Sequence, residues 1–265
     1  MIKGRSMFHF KNLADMAFTR PLKSLGIFFI YSNKVLKTLI NQGFDQDSLI
    51  KQLDNLGVKS INICVITGTF SGAVMAIQSY RGFQKFGGHH LIGVVVALTL
   101  VRELGPVLTG LMVAGRVGAG IASEIGSMKV TEQIDALETL HIDPIKFLII
   151  PKILATILAL PCLTLLAVIF GIMGGYFVGI KILCINGQQF IQSIKEYLSL
   201  YDLFGCLLKS LVFGLLISLT ATLKGYNCYG GAKGVGNITT KTVVSSSILI
   251  IIVNYFLALI IFGPQ

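Results

Sequence analysis

Long stretches without charge dominate the hydropathy pattern of this chain. An α-helix needs about 20 predominantly apolar residues to cross the roughly 30 Å hydrocarbon core of a membrane. Five stretches are apolar over such a length. They are Ser60–Tyr80, Leu91–Ser123, Ile153–Ile180, Leu203–Leu223 and Thr242–Gln265. The pattern predicts an all-α integral membrane protein with about five transmembrane helices.

The N-terminal part of the chain has a different pattern. Between Phe8 and Ile40, apolar residues are mixed with lysines and arginines, and Pro21 interrupts the stretch. This mixture favours a basic amphipathic helix that lies in the headgroup layer, with a loosely folded N-terminus as the alternative. We therefore expect an interfacial segment over residues 1–55 and a transmembrane domain over residues 56–265.

The positions of the charges predict how the chain is oriented. Nine of the 22 lysines and arginines fall in the first 60 residues, against four acids. Basic residues beside the first span indicate a cytoplasmic N-terminus, and no cleavable signal peptide is apparent. Five spans then place the loops over residues 124–152 and 224–241 inside, and the loops over residues 81–90 and 181–202 outside.

The composition argues against several other classes of protein. Only 13% of the residues are charged and 54% are hydrophobic, whereas a soluble domain carries about 25% charged residues. The net charge of +10 forms no basic stripe interleaved with aromatic residues, so nucleic acid is not an expected partner. The five cysteines lack paired spacing and histidine neighbours, so neither a metal site nor a disulfide framework is expected.

Small residues recur every four positions within the predicted spans. On a helix this spacing forms a smooth ridge, and such ridges let helix backbones approach closely in lipid. The ridges are Gly68, Gly72 and Ala76 in the first span, Gly110, Ala114, Gly118 and Ala122 in the second, and Gly171, Gly175 and Gly179 in the third. The pattern indicates a compact helix bundle.

The second span carries charges at a depth where they are costly. Arg102 and Glu103 lie well inside this span, and uncompensated charges there cost at least about 2.5–3.5 kcal/mol each. They either line a substrate path or form ion pairs that lock neighbouring helices together, and the sequence leaves both interpretations open. Arg116 lies nearer the inner face, where snorkelling to lipid headgroups is the favoured interpretation.

The inside loop over residues 124–152 contains a short amphipathic pattern. Its apolar face comprises Val130, Ile134, Leu137 and His141, and its acids Glu132, Asp135 and Glu138 lie on the other faces. Asp143–Pro144 ends the predicted helix. Because acids would be repelled by anionic headgroups, docking onto a soluble partner is favoured over a helix that lies on the membrane.

No motif for chemistry on a nucleotide is present. The glycine-rich stretch Tyr229–Gly236 (YGGAKGVG) lacks the spacing and the Lys-Ser/Thr pair of a phosphate-binding loop. HExxH, GxSxG and Asp-rich metal motifs are also missing from the sequence. We therefore expect a non-catalytic chain, and energy for any transport has to come from a partner or an ion gradient.

One long segment resembles a known family. The run TLVRELGPVLTGLMVAGRVGAGIASEIGSMKVTEQIDALE, from Thr99 to Glu138, is similar to the signature of MlaE-type permeases. The similarity continues through Asp143–Pro144, the Gly171–Gly175 ridge and Gly225–Val244. Members of this family are membrane subunits of ABC transporters that move phospholipids between bacterial membranes. Cys228 and Lys233 depart from the residues usual in the family, which leaves the electrostatics of the second inside loop open.

The resemblance implies a set of partners and site residues. The chain would be a homodimer, with a lipid cavity between the copies near Gln78, Tyr80, Arg102 and Glu103. The helix around Val130–Leu140 would be a coupling helix that docks into an ABC ATPase subunit. A periplasmic MCE-domain protein would continue the lipid path, and a STAS-domain protein would attend the ATPase. The chain would bind no cofactor, and ATP and Mg²⁺ would be used by the ATPase.

Two alternatives belong to other functional classes. An ion-gradient secondary transporter could use Arg102, Glu103 and Arg116, but the charges lie in one span and no second half mirrors it. A lipid-modifying membrane enzyme would need polar side chains clustered at one depth, and the four histidines are scattered. The expected location is a bacterial inner membrane, with a plastid envelope as the alternative.

Overall fold

The computed structural model describes residues 26–41, 43, 45–84, 88 and 91–263. The chain divides into two compact units, with the boundary after Gly43. In the first unit, residues 26–41 form a helix, α1, that carries exposed apolar side chains such as Phe29 and Ile30 together with Lys34 and Lys37. The predicted amphipathic helix is therefore helical over residues 26–40, and residues 8–25 lie outside the described part.

The second unit contains five long helices among its described residues. They are α2 (Gln46–Phe83), α3 (Ile92–Val130), α5 (Ile145–Lys181), α7 (Leu200–Tyr226) and α8 (Gly231–Phe262). Each is long and apolar enough to cross a membrane. Two short helices, α4 (Gln133–Thr139) and α6 (Gly187–Tyr197), connect them. No strand occurs in the described residues, which confirms the predicted all-α membrane fold with five spans.

The long helices extend beyond the apolar stretches that predicted them. Helix α2 begins at Gln46 instead of Ser60, and its N-cap Asp45 accepts hydrogen bonds from the backbone and the hydroxyl of Ser48. The hydrogen bond from the Ser48 hydroxyl lowers the pKa of the Asp45 carboxyl below its ordinary value. Polar residues such as Gln and Lys have helix propensities close to that of Leu, so hydropathy alone underestimates helix length. The expected domain boundary at residues 55–56 falls within α2.

Two segments predicted as loops contain helix. Residues 231–241 of the expected inside loop form the first turns of α8, although this part of the chain is rich in glycine. The expected outside loop over residues 181–202 contains α6, whose N-cap Asn186 accepts a hydrogen bond from the backbone N–H of Gln188. This helix is short and mostly polar, and only Phe190 and Ser193 are buried. Hydropathy therefore does not reveal it.

Glycines bring α2 and α5 into backbone contact. A Cβ atom on Gly68 would lie 2.2 Å from the carbonyl oxygen of Ala167, and one on Gly72 would lie 1.8 Å from that of Gly171. Gly175 continues the contact against Gly72. In lipid, helices gain no hydrophobic free energy by associating, so close backbone packing stabilises the contact instead.

The small residues of α3 face two other helices. A Cβ on Gly110 would meet Phe213 of α7 at 3.4 Å and Ile250 of α8 at 3.5 Å, and one on Gly118 would meet Ile217 of α7 at 3.2 Å. Ala114 and Ala122 are completely buried. This face of α3 therefore lies in the centre of the bundle.

The connections define two ends of the bundle. Helix α4 joins α3 to α5, and α6 joins α5 to α7. Because α5 runs the length of the bundle between them, α4 and α6 lie at opposite ends, which we name the α4 end and the α6 end. The expected topology places the α4 end in the cytoplasm.

Replacing Gly72 with Ala should destabilise the protein by about 1–3 kcal/mol or more, because the new methyl group overlaps the backbone of α5. The matched control is Gly82→Ala on the same helix, where a Cβ would meet nothing within 4 Å. Thermal unfolding in detergent should give a lower midpoint for Gly72→Ala only. Equal midpoints for the two variants would contradict the observed helix contact.

Candidate functional site

Two ion pairs connect α3 to α7 near the α6 end. The Nε atom of Arg102 donates to Oδ1 of Asp202 at 2.7 Å, and Nζ of Lys209 donates to Oε1 of Glu103 at 2.8 Å. Lys209 also donates to the backbone carbonyl of Arg102 at 2.8 Å. We name these four residues the ionic cluster. Arg102 lies about 15 Å along α3 from its first residue, beside the first turn of α7 and the last turn of α8.

Local contacts position the charged side chains of the cluster. Asp202 closes a capping box at the start of α7, in which the hydroxyl and backbone N–H of Ser199 donate to its Oδ2. Its other oxygen is thereby left for Arg102. The turn of α3 over Leu100–Leu104 is a wide π turn, a feature found frequently at functional sites. Asn254 of α8 donates to the second oxygen of Glu103 at 2.9 Å, which adds a third helix.

An aromatic ring covers the two cations. The centroid of Phe262, at the end of α8, lies 5.0 Å from the Arg102 guanidinium and 5.2 Å from the Lys209 ammonium. Gly205 makes room for this ring, because a Cβ there would lie 2.6 Å from it. The Tyr201 hydroxyl donates to the carbonyl of Ile261 at 2.8 Å. The end of α8 is therefore attached to the cluster by cation–π contacts and to the first turn of α7 by a hydrogen bond.

The exposures within the cluster are unequal. The side chains of Asp202 and Lys209 are 1% and 0% exposed, whereas those of Arg102 and Glu103 are 41% and 39% exposed. The contacts of Arg102 and Glu103 are those of ion pairs that hold α3 to α7. The exposed parts of Arg102 and Glu103 still leave them available to a cavity, so their predicted role in substrate contact stays a prediction.

The partners of these charges were missed by the sequence analysis. Lys209 is the one charged residue of the predicted span Leu203–Leu223, and this is the signal in the sequence that it needs an acidic partner. Asp202 was assigned to a loop. Ion pairs between residues about 100 positions apart leave no local pattern.

A shallow, open apolar groove lies along α2, with Leu104 of α3 on its other side. It has a volume of about 440 Å³ and is lined by Ile66, Thr67, Phe70, Ser71, Val74, Met75 and Leu104. The side chains of Ile66, Phe70 and Val74 are more than half exposed. A narrow crevice continues inward past Thr67, Ser71 and Leu104 to Thr109, whose buried hydroxyl has no hydrogen-bond partner in the described structure.

The predicted cavity residues of α2 do not line this groove. Gln78 is exposed near the end of α2. Tyr80 is half-buried and packs against a cluster that includes Ile92, Leu100 and Phe190. The structure therefore brings Arg102 and Glu103 together with α7 and α8, and places Tyr80 against the start of α3 and α6.

At the α4 end, the face predicted to dock on a partner is turned inward. The helix spans only Gln133–Thr139, so Val130 belongs to α3. Ile134 is completely buried and Leu137 is half-buried. His141 follows the helix in the left-handed region, with φ 60°. The chain itself covers Ile134 at the centre of this face, and docking of the helix on a partner stays a prediction.

The acids of α4 face outward, and two of them are anchored. Asp135 accepts from Lys129 at 2.5 Å, and Glu138 accepts from the Tyr226 hydroxyl at 3.0 Å. Glu132 is exposed and adopts a left-handed backbone, with φ 61°, immediately before the helix. These contacts fasten α4 to the last turns of α3 and α7.

Arg116 forms a hydrogen bond within the protein. Its Nη1 donates to the hydroxyl of Ser60 in α2 at 2.7 Å. The interpretation of Arg116 as a headgroup anchor alone is therefore incomplete, because the side chain ties α3 to α2. Within the described residues, no group of His, Cys, Asp and Glu side chains is arranged to hold a metal ion.

The chain is similar to proteins of one family along most of its length. The family described as Permease MlaE matches residues 49–260. A probable ABC transporter permease protein of Rickettsia typhi is 46% identical over 95% of this chain and 98% of the relative. The intermembrane phospholipid transport system permease protein MlaE of Haemophilus influenzae is 34% identical over 93% and 94%. The chloroplastic protein TRIGALACTOSYLDIACYLGLYCEROL 1 of Arabidopsis thaliana is 37% identical over 86% and 65%.

Replacing Glu103 with Gln should destabilise the protein by about 3–5 kcal/mol, because it leaves the buried ammonium of Lys209 without a carboxylate. Asn254→Ala removes one hydrogen bond to the same glutamate and should cost only about 1 kcal/mol. The double variant Glu103→Gln/Lys209→Met should recover most of the loss. Thermal unfolding in detergent measures all three, and a mild effect of Glu103→Gln alone would contradict the buried ion pair.

Proposed function

Because this chain belongs to the MlaE permease family, we propose that it is the membrane subunit of an ABC transporter that moves phospholipids. ATP hydrolysis then takes place in a separate ATPase subunit, which uses ATP and Mg²⁺. The relatives named as ABC transporter permeases and as an intermembrane phospholipid transport permease support this assignment. The protein is a multi-pass membrane protein, and a bacterial inner membrane with a cytoplasmic N-terminus is the location we infer.

The apolar groove between α2 and α3 is the observation that carries the lipid assignment. Its lining is almost entirely aliphatic and aromatic, with only the hydroxyls of Thr67 and Ser71 for polarity. Such a surface suits an acyl chain and offers little to a sugar or an ion. Arg102 lies two residues before Leu104 and therefore on another face of α3. Its half-exposed side chain, paired with Asp202, is the proposed positive charge for a lipid phosphate.

A second copy of the chain is the proposed cover of this groove. The groove is open along α2, where Ile66, Phe70 and Val74 are exposed. Exposed apolar residues of this kind also face lipid in any membrane protein. The groove beside them is what favours a second copy over lipid as the cover. Two grooves facing each other would enclose a cavity for a lipid between the copies.

The α4 end is the proposed docking site of the ATPase. Leu140, Ile142 and Phe147 are exposed to 68%, 40% and 54% beside the outward-facing acids of α4. Large apolar residues exposed at the end of a membrane bundle indicate a protein partner. An MCE-domain protein at the α6 end and a STAS-domain protein beside the ATPase complete the proposed assembly.

The gradient-driven alternative receives no support from the ionic cluster. Glu103 is paired with Lys209, and Arg102 is paired with Asp202. Arg116 is hydrogen-bonded to Ser60. All three charges singled out for that mechanism therefore have structural partners.

Filling the groove should remove bound lipid. Ser71→Trp places a large ring between α2 and α3 and should lower the phospholipid retained by the purified complex at least about fivefold, because the ring occupies the volume of an acyl chain. Phe177→Trp on α5 is the control, since its side chain is exposed away from the groove. Lipid extraction and mass spectrometry measure both, and equal retention would contradict the groove as the lipid site.

A charge at the proposed docking site should disrupt the complex. Leu140→Asp should reduce co-purification of the ATPase at least about tenfold, because it puts a desolvated carboxylate into an apolar contact. Leu200→Asp makes the same change at an exposed leucine of the α6 end and should leave the ATPase bound. Undiminished recovery with Leu140→Asp would exclude this surface.

A further inference from the structure

One buried lysine lies outside the ionic cluster, at the opposite end of the bundle. Lys152 of α5 is completely buried, a rare position for a lysine unless it is paired. Its Nζ donates to Oε2 of Glu124 in α3 at 2.7 Å. The Glu124 side chain is 52% exposed. The pair therefore joins a deep ammonium to a carboxylate that reaches the surface.

The pair closes the loop that carries the proposed docking helix. Glu124 and Lys152 are 28 residues apart, and α4 lies between them. Glu124 is in the last turns of α3, and Lys152 is in the first turns of α5. The two arms connect α4 to the spans along the chain, and the ion pair holds the arms together.

Other contacts make the same region rigid. Lys129 binds Asp135, and Tyr226 binds Glu138, so α4 is attached to both α3 and α7. A Cβ on Gly225 of α7 would lie 2.9 Å from Ile125 of α3, which shows how closely the two helices pack here. These contacts hold the α4 end together, and the Glu124–Lys152 pair is its only ion pair to α5 among the described residues.

A fully apolar contact would serve stability equally well. Replacing a buried ion pair with hydrophobic residues of similar volume is often neutral or stabilising. What the pair adds is a defined direction and separation between the two arms. We propose that Glu124 and Lys152 are positioning residues that transmit movement of the α4 segment to the spans, so that ATP hydrolysis in the partner is coupled to lipid movement. This inference rests on the proposed function.

The test is the amount of lipid moved per ATP hydrolysed by the whole complex in vesicles. Lys152→Met keeps the volume of the side chain and leaves Glu124 partly in water, so the complex should assemble and hydrolyse ATP. Lipid moved per ATP should fall at least about fivefold. Lys146→Met is the matched control, because this exposed lysine of the same helix forms no ion pair in the described structure.

Two further variants separate coupling from folding. Glu124→Gln leaves the Lys152 ammonium buried and unpaired, so it should lower the unfolding temperature, and Glu124→Gln/Lys152→Met should restore that temperature without restoring coupling. The reversed pair Glu124→Lys/Lys152→Glu should restore at least part of the coupling. This variant also decides the matter if Lys152→Met fails to assemble.

Wild-type lipid movement per ATP in Lys152→Met would overturn the inference, as would a reversed pair that assembles and remains uncoupled. Neither result would touch the proposed function. That function fails separately if the unmodified complex hydrolyses ATP in vesicles and moves no phospholipid.

Discussion

The structure depends on the need to pair every charge that is buried in a membrane bundle. Two lysines, Lys209 and Lys152, are completely buried near opposite ends, and each binds a carboxylate of α3. An unpaired ammonium at such a position costs several kcal/mol. Helix α3 is therefore held to α7 at one end and to α5 at the other, and its own register in the bundle is set by these contacts.

Close backbone packing supplies what the charges do not. Helices α2 and α5 meet through glycines at a distance that excludes a methyl group, and the small face of α3 lies against α7 and α8. Ion pairs fix which faces of the helices meet, and glycines allow the helix backbones to approach closely. The groove between α2 and α3 remains open because α2 uses its glycine face for α5 and presents Ile66, Phe70 and Val74 elsewhere.

Much of this fold could be predicted from the sequence, because hydropathy reports membrane spans directly. The five spans and the depth of Arg102 and Glu103 follow from local pattern. The helices are longer than predicted, since polar residues continue α2 and α8 outside the apolar stretches. Helix α6 was missed because its eleven residues are mostly polar, and the burial of Ile134 of α4 by its own chain has no local signal.

The partners of the charged residues were beyond sequence reasoning for a different reason. Asp202 reaches Arg102 across 100 positions, and Asn254 reaches Glu103 across 151. Only the packing of α3 against α7 and α8 brings them together. A lone lysine in an apolar span indicates that a partner exists, but the fold decides which acid it is.

Native mass spectrometry of the detergent-purified complex, expressed with its chromosomal neighbours, tests whether this chain is the permease of an ABC transporter. We expect two copies of this chain with a pair of ATPase subunits and retained phospholipid. A single copy that binds neither an ATPase nor phospholipid would contradict it.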